Sequence, residues 1–383
     1  MRKKIHVLQV VGVMNRGGAE VMLMDIFRNI SKETKFSFLV NYKVKKGIIK
    51  GDFDDEINQK GAAIKHIGTQ WDLGPLKYIK EFKKIYNDLG KPEVVHIHLN
   101  AKSGIIALAA KKAGAQKIIA HSHADLKFRG SFISVFASKI ELIFQKFLIS
   151  KYATDYWGAS KEANKSLYYS KLLNKTVVIN NAVDTDKFQN ITEQEINQFK
   201  ETFNIKPETL VFGNIGRIVK HKNVDFIIDV LNEFNKQNTD FIFLFAGRID
   251  DDNYFREIQS KIKLNQLEKK VTHLGNRNDV PAIINTLDVF IAPALREGFG
   301  LVAVEAQAAG IPCILYKGFP NLVDMGLDLV TILDNFDIDN WVTHINKIKH
   351  NKLNDKSRIK RAIQEKGFDI KQNTIIIEEL YRK

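Results

Sequence analysis

The sequence predicts an α/β protein of two doubly wound, Rossmann-like domains facing each other across a crevice. Three observations predict it. Short β-branched runs alternate with helical patterns, joined by short loops, along the whole chain. That alternation is the mark of parallel sheets covered by helices on both faces. The series runs once, stops at a polar stretch near 181–207, and starts again. Finally, 383 residues hold about two domains of ordinary size.

In the first series, strands are expected at 5–11, 36–41, 63–67, 93–97, 117–120, 155–158 and 176–179. Helices fall between them at 18–30, 52–60, 76–89, 102–113, 131–151 and 161–168. The first strand follows Met1-Arg-Lys-Lys, which invites comparison with a secretory signal. His6 and Gln9 interrupt its apolar run and no small-residue cleavage site follows, so it reads as a buried strand. The stretch near 181–207, with Asn180-Asn-Ala-Val-Asp184, reads as the connection between domains. The second series has strands at 209–215, 240–246, 271–274, 288–292, 312–316 and 328–332. Its helices are at 222–235, 253–264, 279–285, 300–309 and 337–350. The domains are accordingly 1–185 and 186–368. In such folds ligands bind beyond the carboxyl ends of the strands, so the crevice is the expected site.

Composition narrows the class. No stretch reaches the roughly 18 apolar residues of a membrane span. The single cysteine, Cys313, excludes an internal disulfide and fits a reducing cytoplasm; Ile-Pro-Cys-Ile-Leu marks it as a packed thiol in a strand. Charge is uneven. Residues 1–190 hold 32 Lys and Arg against 17 Asp and Glu, while 191–383 hold 26 against 27. A basic half faces nucleic acid, an anionic lipid surface or an acidic substrate. No aromatic-basic readout motif accompanies it, so nucleic acid is not the expected partner. Residues 128–151 are apolar, aromatic and flanked by Arg129 and Lys151. Two readings stand: a helix at a membrane interface, or one packed on the first sheet.

Four motifs carry chemistry. After the first strand, Asn15-Arg16-Gly17-Gly18-Ala19-Glu20 sets paired glycines at a strand-to-helix turn, where N–H groups can meet an anion. It lacks the third glycine of a dinucleotide fingerprint. After the first strand of the second series comes Gly216-Arg217-Ile-Val-Lys220-His221-Lys222-Asn223. Arg217 can grip phosphate with a planar fork, and Lys222 adds a point charge. The third motif is Glu297-Gly-Phe-Gly-Leu-Val-Ala-Val-Glu305, in which a glycine turn opens an apolar helix. A helix N-terminus offers free N–H donors and about half a positive charge to phosphate. Glu305, in a helix that otherwise reads as buried, is costly unless it binds something. The fourth is His121-Ser-His123-Ala-Asp125 at a strand end, with His96 and His98 ending another strand. An imidazole there can hydrogen-bond a reacting sugar or steady charge near its anomeric carbon. A metal would also suit two histidines, but the spacing supplies no convincing third ligand. Asp250-Asp-Asp252 resembles an acidic metal motif, yet Arg248 and Asn253 around it suggest a solvated loop.

Together these motifs resemble the retaining glycosyltransferases of family 4, often called group 1, which have the two-domain GT-B fold. The resemblance covers nearly the whole chain and is strongest over 210–324. Glu297 to Glu305 looks like the family's paired-glutamate signature, and Gly216-Arg217 with Lys222 looks like its pyrophosphate-binding pair. Gly17-Gly18 looks like its glycine loop, and His123, more than His121, like its active-site histidine. The resemblance implies that Glu305 holds the ribose and that Glu297 with the amides of Gly298, Phe299, Gly300, Leu301 and Val302 contacts donor sugar and phosphate. Asn276 and Arg277 match the loop flanking the base, while Asn15, Arg16, His98 and His121 lie on the acceptor side. A helix at 369–383 is expected to return to the first domain. Ala294 departs from the family's usual serine and Asn223 from its frequent glycine.

The implied activity is transfer of a sugar from a nucleotide-diphosphate donor, a UDP-sugar, to a saccharide hydroxyl, with the anomeric configuration kept. The family is assigned same-face attack in which the leaving phosphate helps take the acceptor proton. His123, Glu297, Arg217 and Lys222 are the expected catalytic groups, with no metal and no other cofactor. The expected acceptor is polyprenyl-diphosphate-linked, in bacterial surface polysaccharide synthesis at the inner membrane face. Two other classes remain: a nucleotide-sugar epimerase or hydrolase of the same fold, and a non-catalytic nucleic-acid-binding protein.

Overall fold

The computed structural model of the chain describes residues 4–124, 126 and 131–383. It has two units, each a parallel sheet with its helices. The first comprises residues up to Ala182 together with Ile370–Lys383, and the second is Val183–Asp369.

The first sheet contains β1 (Ile5–Val11), β2 (Thr34–Tyr42), β3 (Ala63–Gly68), β4 (Val94–Ile97), β5 (Lys117–Ser122), β6 (Asp155–Gly158) and β7 (Thr176–Val178). Their order across the sheet is β3-β2-β1-β4-β5-β6-β7. The second sheet contains β8 (Leu210–Ile215), β9 (Phe241–Ala246), β10 (Val271–His273), β11 (Val289–Ala292), β12 (Cys313–Tyr316) and β13 (Val330–Leu333). Its order is β10-β9-β8-β11-β12-β13. Each sheet reverses direction beside its own first strand, between β1 and β4 and between β8 and β11. This is the doubly wound arrangement, and the loops after these strands are where it binds ligands.

The strands read as near-continuous apolar runs because both faces are covered. Phe241-Ile-Phe-Leu-Phe-Ala246 is the clearest case, with Phe243, Leu244 and Phe245 at most 1% exposed. The helix Val224–Lys236 buries Val224, Ile227, Ile228, Leu231 and Phe234, the stripe a 3.6-residue period predicts. Cys313 is fully buried with its thiol against the Ala303 and Ile311 carbonyls.

The polar stretch near 181–207 is not a bare connection. It contains helices Thr185–Gln189 and Glu193–Thr202. Glu195 N–H donates to Thr192 Oγ1 and Thr192 N–H to Glu195 Oε2, a capping box whose Thr-x-x-Glu spacing stood in the sequence. Phe188, Phe199 and Ile205 then join the core of the second unit. Amphipathic helices this short carry too few apolar residues for periodicity to reveal them.

The helix Ile370–Arg382 packs in the first unit. Glu378, 5% exposed, accepts from Ser31 N–H at 2.9 Å, Ser31 Oγ at 2.5 Å and Thr34 Oγ1 at 2.9 Å. Tyr381 stacks on Trp157, their ring centroids 5.6 Å apart. The C-terminal segment thereby reaches the polar interior of the first sheet.

Candidate functional site

In the second unit three loops converge at the carboxyl edge of the sheet. The first leaves β8 at Gly216 and runs through Arg217 to Lys222. Asn223 adopts the left-handed conformation (φ 58°, ψ 39°) that glycine or asparagine accepts with least strain. This explains why asparagine stands at that turn. The second loop leaves β9 at Gly247, whose φ is +149°. A Cβ there would lie 1.8 Å from Gly216 O, so only glycine lets the two loops touch. The third loop runs from Ala294 to Gly300, which has φ +88° and precedes the helix Leu301–Ala308. A Cβ on Gly300 would meet Phe319 at 2.4 Å. Leu295 N–H donates to His221 O and Glu297 N–H to Gly318 O, both near 2.9 Å or shorter, which ties this loop to the first and to β12's exit.

The charged groups sit on that frame. Lys222 Nζ donates to Glu297 Oε2 at 2.6 Å, with side chains only 14% and 17% exposed. Arg217 lies half-exposed, with NH1 3.1 Å from Asp250 Oδ2. Arg248 and then Arg217 hold the Asp250 carboxyl below the usual carboxylate range. Asp251 accepts from Tyr254 N–H and caps the helix Asp252–Leu264. The acidic triplet thus contains a clamp for Arg217 and a helix cap. Arg277 makes a bidentate pair with Asp279 at 2.8 and 2.5 Å, while Asn276 is exposed beside it. Glu305 is half-buried one turn into its helix, between buried Val304 and Ala306. Phe299 stacks on Phe368, 4.8 Å between centroids, and fixes the glycine turn from behind.

The first unit gathers histidines. Gln9 lies opposite His96 across β1 and β4, and His121 lies opposite Trp157 across β5 and β6. His96 Nε2 is 3.1 Å from His121 Nδ1, and His98 Nδ1 is 2.8 Å from His123 Nε2. Gln9 Oε1 can only accept, so it takes the His98 Nε2 proton at 2.8 Å. His98 Nδ1 is then a bare lone pair and accepts from His123 Nε2–H. His123 Nδ1 is left unprotonated and, among the described residues, without a partner. Burial pushes His96, His98 and His121 well below the ordinary imidazole value, and the other imidazoles of the cluster push the same way. Burial alone brings His123 to about 4. The spacing of His121 and His123 supplied no third metal ligand in sequence; the fold brings His96, His98 and His121 within 4.8 Å of one another. Asp125 lies outside the described residues.

Near these strand ends, Gly17 caps the helix Gly18–Asn29. Asp52 is engaged by Arg16 N–H and by the Asn15 side chain, and the Arg16 guanidinium lies over Phe53. Gly18 is exposed with open space around it. Sequence reasoning named the loops but missed Gly247, Gly318, Gln9 and Tyr381, whose Oη lies 2.8 Å from His96 Nδ1. Gln9 was visible as the polar residue in an apolar strand; Gly247 was visible only as a glycine after one.

The histidine cluster fixes a pH response. The folded pKa of His123 is about 4 against 6.5 ordinarily. The unfolded chain binds more protons between those values, so stability is intact above about pH 6.5 and falls as pH drops toward 4. At pH 5 His123 alone should cost about 2 kcal/mol, and its three neighbours act in the same direction. Urea unfolding followed by tryptophan fluorescence should therefore show a lower midpoint at pH 5 than at pH 7. An unchanged midpoint would mean the imidazoles are not buried neutral.

Both units are doubly wound, the fold of the solved GT-B glycosyltransferases. Residues 195–366 match the family described as glycosyl transferases group 1, so the second unit carries a group 1 glycosyltransferase domain. Across 98% of its length the chain is 28% identical to EpsF of Bacillus subtilis (strain 168), covering 96% of that protein. It is also 28% identical to the UDP-Gal:alpha-D-GlcNAc-diphosphoundecaprenol alpha-1,3-galactosyltransferase of Escherichia coli, over 81% of each chain. Among solved structures, Anabaena HepE in complex with UDP and glucose matches with a TM-score of 0.75, at 20% identity and 98% and 99% coverage. A glycosyltransferase from Rickettsia africae matches with a TM-score of 0.76, at 16% identity and 100% and 98% coverage.

Proposed function

We propose that the protein transfers a sugar, with retention, from a UDP-sugar to a hydroxyl of a polyprenyl-diphosphate-linked saccharide during bacterial surface polysaccharide synthesis. The observation that carries the donor half is the partly buried Lys222–Glu297 pair on the loops that also hold Arg217, just before the helix Leu301–Ala308. As the bond to the diphosphate breaks, negative charge grows on its oxygens. Lys222, Arg217 and the N–H groups after Gly298 are preorganised to receive that charge, which does the work a metal ion would do. Glu297 holds the Lys222 ammonium in place. Glu305 is assigned the ribose hydroxyls. His123, neutral with Nδ1 free to accept, is assigned a substrate hydroxyl. The UDP bound by HepE and the UDP-Gal and diphosphoundecaprenol in the name of the Escherichia coli relative support these substrate classes.

A thermal-shift screen of UDP-glucose, UDP-galactose and their N-acetyl forms tests the donor assignment. At least one should raise the midpoint of the wild type in EDTA, and none should raise that of Glu305→Ala. Rapid consumption of the donor without any acceptor would favour the epimerase class instead. An α-linkage in the product from an α-linked donor, read by NMR, tests retention.

We place the acceptor reaction at the inner membrane face because of the helix Phe132–Tyr152. Its inward side carries Gln145, Leu148 and Ile149, with Gln145 Oε1 accepting from Ile105 N–H. Its outward side shows Ile133, Phe136, Ile140, Ile143, Phe144 and Phe147, each 50–79% exposed. These six fall within an arc of roughly 100° on a 3.6-residue helix. Lys139 and Lys146 border that arc. A glutamine inward and phenylalanines outward suit a headgroup boundary rather than water. The helix packs on the first unit through its inner side, and its apolar outer side supports the membrane-interface reading; 128–130 lie outside the described residues. No helix among the described residues is long and apolar enough to cross a membrane. Sedimentation with anionic liposomes should retain the wild type at physiological salt and release Phe136→Ser/Ile140→Ser/Phe144→Ser. Equal sedimentation of both would exclude this face.

A further inference from the structure

A cavity of about 320 Å³ opens in the first unit, and none of the clustered histidines lines it. Its walls come from the residues just past four neighbouring strands: Gly12 after β1, Lys43 after β2, Thr69 after β3 and Leu99 after β4. This is the carboxyl edge where doubly wound sheets take ligands.

The lining is of two kinds. Lys43, Lys46 and Lys102 are exposed at its rim and form no ion pair among the described residues. The nearby carboxylate, Asp72, is occupied by Thr69 Oγ1 at 2.6 Å and Val44 N–H at 3.2 Å. Tyr42, Ile49 and Ile106 supply apolar surface, Ile106 buried and Ile49 exposed at the edge. Gln70 also lines the cavity. It is 4% exposed, yet neither its amide nitrogen nor its amide oxygen has a partner among the described residues. An unsatisfied buried amide is costly, and a ligand offering both a donor and an acceptor removes that cost. Asn41 beside it is locked, accepting from Tyr78 Oη at 2.8 Å and donating to Val11 O.

We propose that this cavity binds the phosphate-bearing sugar unit of the acceptor. Three ammonium groups match a diphosphate's charge. The Gln70 amide matches a ring hydroxyl, and the aromatic and aliphatic wall matches the apolar face of a sugar. The volume lies at the lower end for small-molecule pockets and takes one such unit, not an oligosaccharide. The phosphate belongs to a lipid carrier rather than to a free sugar phosphate. Lys102 and Ile106 stand at the start of the helix Ser103–Ala113, and that same helix supports the outward-apolar helix Phe132–Tyr152 through Ile105 and Gln145. The cavity and the lipid-facing surface thus share one support. This assignment rests on the acceptor half of the proposed function; the donor half is independent of it.

The test uses farnesyl diphosphate as probe, in saturating UDP so that donor-side phosphate contacts are filled, with binding read by calorimetry. Wild type should bind it, and Lys43→Ala/Lys46→Ala/Lys102→Ala should lose about 30-fold or more in affinity with UDP binding unchanged. Gln70→Leu should weaken N-acetylglucosamine 1-phosphate by about 5-fold or more, with the unfolding midpoint kept or raised. Inorganic pyrophosphate and N-acetylglucosamine 1-phosphate should both bind the wild type about 10-fold more weakly than farnesyl diphosphate. Equal affinity of the triple variant and wild type would overturn the site. Either soluble phosphate binding as tightly as farnesyl diphosphate would overturn the lipid-linked assignment. Loss of UDP binding in wild type and variant alike would instead count against the donor reading and leave this result standing.

Discussion

Replacing Lys222 by alanine should lower the rate constant of sugar transfer by about 10²–10³-fold, with a much smaller change in KM for the donor. Lys222 Nζ is 2.6 Å from Glu297 Oε2, and both side chains are largely screened from water. In that setting a cation facing departing diphosphate oxygens acts chiefly on the transition state, where their charge is greatest. Removing it also strands the Glu297 carboxylate. The double change Lys222→Ala/Glu297→Gln separates the two effects. It should recover any stability lost in the single variant, because the stranded charge is gone, while leaving turnover low. Lys222→Arg should not rescue, since Nζ sits 3.5 Å from the Cβ position of Gly216 and the space suits a compact ammonium. A coupled assay of UDP release measures this. Turnover of Lys222→Ala within threefold of the wild type would remove Lys222 from the machinery.

Gly247→Ala should sharply weaken donor binding by displacing the loop that carries Gly216 and Arg217. Its methyl would stand 1.8 Å from Gly216 O and 2.6 Å from Gly216 C. Both are backbone atoms, and Gly216 is further tied to β9 by its N–H to Ala246 O. Nothing flexible can yield, so the loop carrying Arg217 must move. The expected cost is about 3 kcal/mol or more of stability in the second unit, with at least a 100-fold loss of UDP-sugar affinity. Gly275→Ala is the matched control. Its φ is +73°, but nothing lies within 4 Å of the added carbon. It should cost about 1–2 kcal/mol of backbone strain and leave donor affinity close to wild type. If both substitutions weakened the donor equally, crowding at Gly216 would not be the cause.

Much of this protein is legible from residue order alone. Apolar runs such as Phe241 to Ala246 can only be strands covered on both sides, and their alternation with helical stripes implies doubly wound sheets. The donor loops were legible for a related reason. Phosphate chemistry needs cations, glycines and a helix start within a few residues, so Gly216 to Lys222 and Glu297 to Glu305 each carry their meaning locally. The helices Thr185–Gln189 and Lys356–Glu365 were not legible, being short and mostly polar.

What the sequence determined by itself is therefore whatever depends on neighbours along the chain: strand and helix type, the order of the two sheets' elements, and the cation-glycine loops. Tertiary structure decided what depends on residues far apart in number. It set Gln9 and His98 in one hydrogen-bonded row with His123, and Tyr381 against His96. It pressed Gly247 onto Gly216. It also chose the outward face of the helix Phe132–Tyr152, leaving Ile143 and Phe144 at least half exposed. The physical reason is common to all three. A side chain's partners across a sheet or between helices are set by strand register and packing, and periodicity along one element shows that it has faces but not which of them is covered.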